Sequence, residues 1–203
     1  MKEWRRKGLG LVLMLVAVAL FAGCGARPET RLYLLSALAP DAPTAEGAGQ
    51  TMVIGLGPVT LPDYLDRPQI IFRVSANRLE AADTHRWAEP LSASVARVLA
   101  ENLASQLPGS RILNYPWVSG ETPDFQVRVE VLRFDAGPDE AVHLLANWSV
   151  KGREGAPRRV DLTVAAPTLD FESMVSAESQ ALFTLSREIA DELRGLMAGR
   201  QSE

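Results

Sequence analysis

Cysteine and histidine are nearly missing from this chain. It has one cysteine, Cys24, and two histidines, His85 and His143, in 203 residues. One cysteine permits no intrachain disulfide, so stability has to come from packing. Two histidines far apart in sequence, with no second cysteine, are too few for a typical zinc site, and no metal is expected. A G-x-S-x-G nucleophile elbow is also missing. So is any excess of positive charge: 21 Lys and Arg stand against 25 Asp and Glu, a net −4. That balance argues against nucleic acid and against anionic headgroups as partners. The longest apolar run, residues 9–22, falls short of the roughly 20 residues that a spanning helix needs.

What is present is concentrated at the start. Lys2, Arg5, Arg6 and Lys7 precede the apolar run, and small residues close it at Ala22-Gly23-Cys24. A charged region, a short apolar region and a small-residue cleavage site are the order of a bacterial export signal. Removing residues 1–23 takes away those four cations against Glu3, which brings the mature chain near −7. Phe21-Ala22-Gly23-Cys24 resembles the lipobox of bacterial lipoproteins, with Phe21 where the pattern usually has Leu. The resemblance implies that Cys24 becomes the acylated N-terminus, carrying covalent lipid such as palmitate and no other cofactor. One acyl chain holds a protein to a membrane only reversibly, whereas two or more hold it stably. Gly25 in place of Asp implies, by the rule of that family, the outer membrane of a Gram-negative bacterium, with the domain facing the periplasm.

Further along, two signals give the fold class. Leu91, Val95, Val98, Leu99, Leu103 and Leu107 recur at helical spacing, as do Phe171, Val175, Leu182, Leu185, Ile189, Leu193 and Leu196. Pro90 suits a first helical turn, Asp170 suits an N-cap, and Pro108-Gly109 ends the first helix. Residues 125–134 alternate for most of their length, with Phe125, Val127, Val129 and Val131 on one face; residues 143–150 and 159–164 alternate likewise, which predicts an antiparallel meander. Shorter strands are expected at residues 31–36, 52–59, 69–74, 78–82 and 111–115, and a turn at residues 135–139. The expected fold is α+β: a mostly antiparallel sheet with two long helices packed on one face, preceded by a lipoprotein signal peptide. The Pro-, Ala- and Gly-rich residues 37–50 read as a loop.

Several motifs invite functional readings. Gly55-x-Gly57 could suggest a phosphate loop, but Pro58 and Pro62 prevent a helix from opening there; the glycines mark a bulge or a close backbone approach. Asp63 and Asp66 could be imagined as an acid/base pair, but carboxylates in a proline-bracketed connection more often cap turns or pair with a cation such as Arg67. No catalytic residue is assigned. Asn147-Trp148-Ser149 matches a glycosylation sequon, which the bacterial export signal makes coincidental. Leu61-Pro62-Asp63-Tyr64-Leu65-Asp66-Arg67-Pro68 is the densest polar and aromatic cluster. It reads either as a structural corner, with Asp66 and Arg67 satisfying backbone groups, or as a docking surface. Arg86-Trp87 likewise reads as a core plug or as an interface anchor, Trp and Arg being enriched in binding hot spots.

These stretches carry a resemblance. Tyr64-Leu65-Asp66-Arg67-Pro68-Gln69-Ile70, Arg86-Trp87-Ala88-Glu89-Pro90-Leu91, Val98-Leu99-Ala100-Glu101-Asn102-Leu103, Tyr115-Pro116, Arg133-Phe134, Leu145-Ala146-x-Trp148 and Leu185-Ser186-Arg187-Glu188-Ile189-Ala190 follow one another as in the auxiliary lipoprotein family of ABC-type transport systems, the PqiC/YmbA group. The chain resembles that family over nearly all of its mature length. The resemblance implies a non-catalytic adaptor that receives an MCE-domain protein, belongs to a system with an ABC permease and ATPase, and moves lipid between inner and outer membranes. It also implies possible self-association into a homo-oligomer. On this reading residues 1–23 are the signal peptide, 24–30 a lipidated tether and 31–199 one auxiliary lipoprotein domain. Tyr64, Leu65, Asp66, Arg67, Arg86 and Trp87 are the expected partner-binding residues. A lipoprotein that itself carries a lipid or other apolar ligand is the alternative, and a periplasmic hydrolase is a third reading that the sparse nucleophile inventory disfavours.

Overall fold

Ten elements follow one another in the computed structural model, which describes residues 29–39, 52–117, 120–151, 157–168 and 170–201. They are β1 (Arg31–Tyr33), β2 (Val53–Thr60), β3 (Gln69–Ser75), β4 (Arg78–Trp87), α1 (Leu91–Gln106), β5 (Arg111–Asn114), β6 (Phe125–Ala136), β7 (Ala141–Lys151), β8 (Arg158–Ala165) and α2 (Phe171–Gln201). The export signal, Cys24 and most of the loop expected at residues 37–50 lie outside the described residues.

Strand β6 is the axis of one eight-stranded sheet. Along one edge it pairs with β7 antiparallel over nearly its whole length, and β7 pairs with β8 antiparallel, which is the expected meander. Along its other edge β6 has two parallel partners placed end to end. Strand β2 occupies the first half, from Ile54 opposite Phe125 to Thr60 opposite Glu130, and β3 touches the last residue, Phe72 opposite Ala136. Strand β4 adds to β3 antiparallel, β1 adds to β4 parallel, and β5 adds to β2 parallel. Most paired residues lie in the antiparallel ladders, and the parallel pairs all lie on the β2 and β3 side of β6.

Both helices bury the stripes read from the sequence. Val95, Val98, Leu99 and Leu103 of α1 and Leu182, Leu185, Ile189 and Leu193 of α2 are fully buried against Val127, Val129, Val131, Leu144, Ala146 and Trp148 of the sheet. Arg194 of α2 donates to the Gln106 carbonyl at the end of α1 (3.1 Å), joining the helices at a point where a terminal carbonyl lacks an intrahelical partner. Asp170 caps α2 as expected, its Oδ1 accepting from the Ser173 N–H at 2.8 Å. Helix α2 runs past Gly199 to Gln201, two residues beyond the expected stop.

Several strands are longer than the sequence pattern suggested. Strand β4 continues through Asp83, Thr84, His85 and Arg86 to Trp87, because β1 pairs with that stretch: Arg31 lies opposite His85, Leu32 opposite Arg86 and Tyr33 opposite Trp87. Strand β6 takes in Asp135 and Ala136, which were expected in a turn. A register shift between Val131 and Arg133 breaks its alternation there, so the buried set changes phase. Strand β8 likewise runs from Arg158 to Ala165, one residue beyond 159–164 at each end.

The glycines of β2 mark a close approach, as expected. A Cβ on Gly55 would stand 2.6 Å from the Trp117 ring and 2.9 Å from Pro123, and Gly57 has φ +125° with Tyr115 against it. The register of β2 on β6 shifts between Leu56 and Val59. Gly55→Ala should therefore force the Trp117 ring aside and lower stability by about 1–3 kcal/mol, the usual cost of overpacking. A urea unfolding series checks this, and adding Trp117→Ala should restore part of the loss.

Candidate partner-binding surface

The connection from β2 to β3 has a defined task. Both strands lie on one edge of β6, so the chain must turn between them beside residues 131–135, which have no strand partner on that edge among the described residues. Prolines at 62 and 68 bracket the turn, and Asp63–Leu65 forms one short 3-10 turn, with the Leu65 N–H donating to Pro62 O (3.0 Å) and the Asp66 N–H to Asp63 O (3.1 Å). Leu65 is buried in the core. Tyr64 turns inward, and its hydroxyl donates to Asp135 Oδ2 at 3.0 Å.

Asp135 is the centre of a buried charge cluster that the sequence did not reveal. Its side chain is fully buried. Arg73 of β3 clasps both carboxylate oxygens, Nε to Oδ1 at 3.1 Å and Nη2 to Oδ2 at 3.0 Å. Arg133 Nε donates to Oδ1 at 3.0 Å. A bidentate guanidinium with two further donors satisfies a buried carboxylate about as fully as side chains can. Burial first, and the Asp135 charge second, push the Tyr64 hydroxyl up to about 12, so it stays a donor. Glu178 of α2 joins the cluster from the helix layer. It is buried, and its Oε2 has no hydrogen-bond partner among the described residues. Burial first and Asp135 second push its carboxyl up to about 8. Residues 133–135 lay where the alternation failed, and that failure was the one available signal.

With Tyr64 and Leu65 turned inward, Asp66 and Arg67 point out. Their side chains do not cap the corner's backbone among the described residues; the turn is held by backbone bonds and by Tyr64. The second motif lies beside the first. Gln69 pairs with Arg86, the Trp87 N–H donates to Pro68 O at 2.7 Å, and the Ala88 N–H donates to Tyr33 O at 2.8 Å. Together they form a cavity of about 320 Å³ lined by Asp66, Arg67, Pro68, Trp87, Ala88, Glu89 and Pro90. Trp87 is 7% exposed and so acts as both core plug and cavity wall. Arg86 is exposed alongside. Glu89 is engaged by Arg97 (2.9 Å), whose hydrogen bonds hold its carboxyl below the usual range. Arg97 also binds Glu101 and the Leu35 carbonyl, which fixes the start of α1. Of the six expected residues, Asp66, Arg67 and Trp87 line the cavity, Arg86 adjoins it, and Tyr64 and Leu65 support it from within.

The remaining titratable candidates are dispersed. Asp63 and Asp66 are exposed. His85 Nδ1 and the Tyr33 hydroxyl share a hydrogen bond at 2.7 Å, and the His85 ring stacks on Phe171. His143 Nε2 binds Asp139 at 2.9 Å.

Glu178 gives a signed pH dependence. Between the ordinary carboxylate range and about 8, the folded chain keeps a proton that the unfolded chain has released. Stability should therefore fall as pH rises through that window and level off on either side. The loss should be on the order of a few kcal/mol between about pH 5 and about pH 9. The depressed Glu89 and Asp139 act at the acid end, where their contribution is lost as pH falls. Urea midpoints measured across pH should show the fall in the native chain and a flat profile in Glu178→Gln; parallel profiles would contradict it.

The fold and this surface can be set beside known proteins. A crystal structure of an uncharacterised protein matches with a TM-score of 0.68 at 24% identity, covering 81% of this chain and 99% of that one. The crystal structure of XCC0632 from Xanthomonas campestris matches with a TM-score of 0.66 at 16% identity, covering 85% and 98%. The intermembrane transport lipoprotein PqiC of Escherichia coli K12 is 23% identical over 197 residues, which is 97% of this chain and all of that protein; PqiC of Shigella flexneri matches equally. Residues 33–190 match the family model described as the ABC-type transport auxiliary lipoprotein component, and the chain belongs to that family.

Proposed function

We propose that the chain is a non-catalytic adaptor, anchored through lipid on Cys24 to the periplasmic face of the outer membrane, that docks an MCE-domain protein of an ABC-type lipid transport system. The observation that carries this reading is the cavity at the corner. Two motifs about twenty residues apart in sequence converge on one outward depression. Its walls are Trp87 and two prolines, and the charged side chains of Asp66 and Arg67 stand at its rim. Such a site offers a rigid apolar floor with displayed charges and little to perform acid/base or nucleophilic chemistry. A partner segment bearing an apolar side chain between charged ones suits it. The name of PqiC, an intermembrane transport lipoprotein, supports a place between two membranes. The domain boundaries follow the same reading: signal peptide to residue 23, tether to 30, and the adaptor domain from 31 to 199. The leucines and valines of the two helical stripes are packed core rather than the lining of a lipid chamber, which favours the adaptor over the carrier.

Two measurements test it. Cys24→Ser should release the mature protein from the membrane fraction into the periplasm, and unchanged fractionation would refute the anchor. Asp66→Lys with Arg67→Glu reverses the exposed rim charges without touching the buried Tyr64. It should weaken capture of the purified MCE-domain protein by about tenfold or more, as loss of a hot spot does, and leave the unfolding midpoint in place. Undiminished capture by that variant would remove the corner from the interface.

A further inference from the structure

Strand β1 and the residue that follows it carry two leucines on their outward side. Leu32 is 66% exposed and Leu34 47%. The residues that alternate with them face inward: Tyr33 binds His85 and packs on Phe171, and Leu35 is fully buried. The segment cannot rotate to hide the leucines, because it is fastened to both helices. Ser36 N–H donates to Ser179 Oγ of α2 at 3.1 Å, Leu38 N–H to Asn102 Oδ1 of α1 at 2.9 Å, and Arg97 Nη2 to Leu35 O at 3.0 Å. Beside the leucines stand two exposed cations. Arg86 lies opposite Leu32 in the ladder, on the same face, and Arg31 precedes Leu32 at the exposed end of the strand, on the face it shares with His85. Neither has a carboxylate partner among the described residues. A groove of about 510 Å³ continues from this edge along the start of α2, past Leu38, Val175 and Ser176, with Glu172 as its acidic member.

The tether says what lies opposite. Seven residue steps separate Cys24 from Arg31, and an extended chain covers at most about 3.6 Å per residue, so the strand starts within roughly 25 Å of the anchor. On the anchor reading above, which this inference rests on, β1 is the part of the domain whose distance from the bilayer is bounded most tightly. Outward leucines flanked by unpaired arginines match the boundary between headgroups and acyl chains, where apolar side chains enter and cations meet phosphate. The mature chain is acidic overall, so this patch would not recruit the protein by itself. The acyl chains hold it, and the patch sets its orientation.

We infer that the β1 edge, through Leu32 and Leu34 with Arg31 and Arg86 beside them, seats on the phospholipid surface of the membrane that holds the anchor. Strand β4 then runs from the seated edge at Arg86 directly into the docking cavity at Trp87. A partner bound there would end close to headgroup level, where an apolar cargo has the shortest path through water.

The experiment uses the acylated protein in vesicles of phosphatidylethanolamine with a minority of phosphatidylglycerol. Leu32→Cys, Leu34→Cys and, on the opposite sheet edge, Asp161→Cys each carry an environment-sensitive fluorophore; acylated Cys24 does not react. Labels at 32 and 34 should shift to the blue on vesicles and be quenched several-fold more strongly by spin-labelled phospholipid than the label at 161. Equal quenching at the three positions overturns the inference while leaving the anchor intact. A blue shift already present without vesicles, which would mean that the chain itself or a second copy covers the patch, overturns it too. The mass of the mature protein reads the anchor separately, and a chain without acyl groups overturns both.

Discussion

A carboxylate with no access to water has to be matched by donors fixed in place, and Asp135 imposes that condition on three separate parts of the chain. Arg73 arrives from β3, Arg133 from β6 itself and Tyr64 from the corner. Removing one partner from such a buried set typically costs about 3–5 kcal/mol, because the remaining charge stays buried. The cluster also explains how the sheet accepts two strands end to end on one edge of β6. Among the described residues, backbone pairing along that edge of β6 ceases between Glu130 and Ala136, and side-chain bonds to Asp135 hold that gap. Within the sheet, among the described residues, β4 and β1 reach β6 by way of β3, so their place in the sheet depends in part on the same bonds.

The cluster has one imperfect member. Glu178 enters from α2 beside a carboxylate that is already fully engaged, and its Oε2 lacks a partner among the described residues. At neutral pH it remains protonated rather than adding a second negative charge. A neutral acid can sit there at modest cost, whereas an ionised one cannot, so the helix layer is coupled to pH at the point where it crosses the corner. The two guanidiniums are committed to Asp135, which among the described residues leaves neither to compensate a charged Glu178.

What could be read from the sequence divides by the distance over which a signal acts. The helical stripes, the Asp170 cap, the meander and the tight packing at Gly55 all came from neighbours within a few residues, or from alternation within one strand. The parallel ladders did not, since β1 with β4 and β2 with β6 join segments about fifty and seventy residues apart, and nothing local marks such partners. The polar stretch from Asp83 to Arg86 is strand because β1 covers its edge, not because of its own composition. At the corner, the prolines identified a rigid connection, but composition could not say which side chains turn inward. Tyr64 looks like a display residue in sequence and is a support in the fold. Asp135 looked like a turn residue because the shift after Val131 removes the periodicity that would have shown it buried.

That division between support and display runs through all three surface segments. In the corner, Tyr64 and Leu65 fasten the turn while Asp66 and Arg67 stand outside it. In β4, Trp87 closes the core while Arg86 faces solvent; in β1 and the two residues after it, Tyr33 and Leu35 are bound while Leu32 and Leu34 are exposed. Each displayed side chain is adjacent to one that is locked. A surface built this way loses little conformational freedom when something binds it, because its backbone is already ordered. Flexible loops could present the same side chains only by being ordered at the moment of contact. A domain whose work is to hold a partner at a fixed place gains from the first arrangement, and the buried charge at Asp135 is what keeps the corner from yielding.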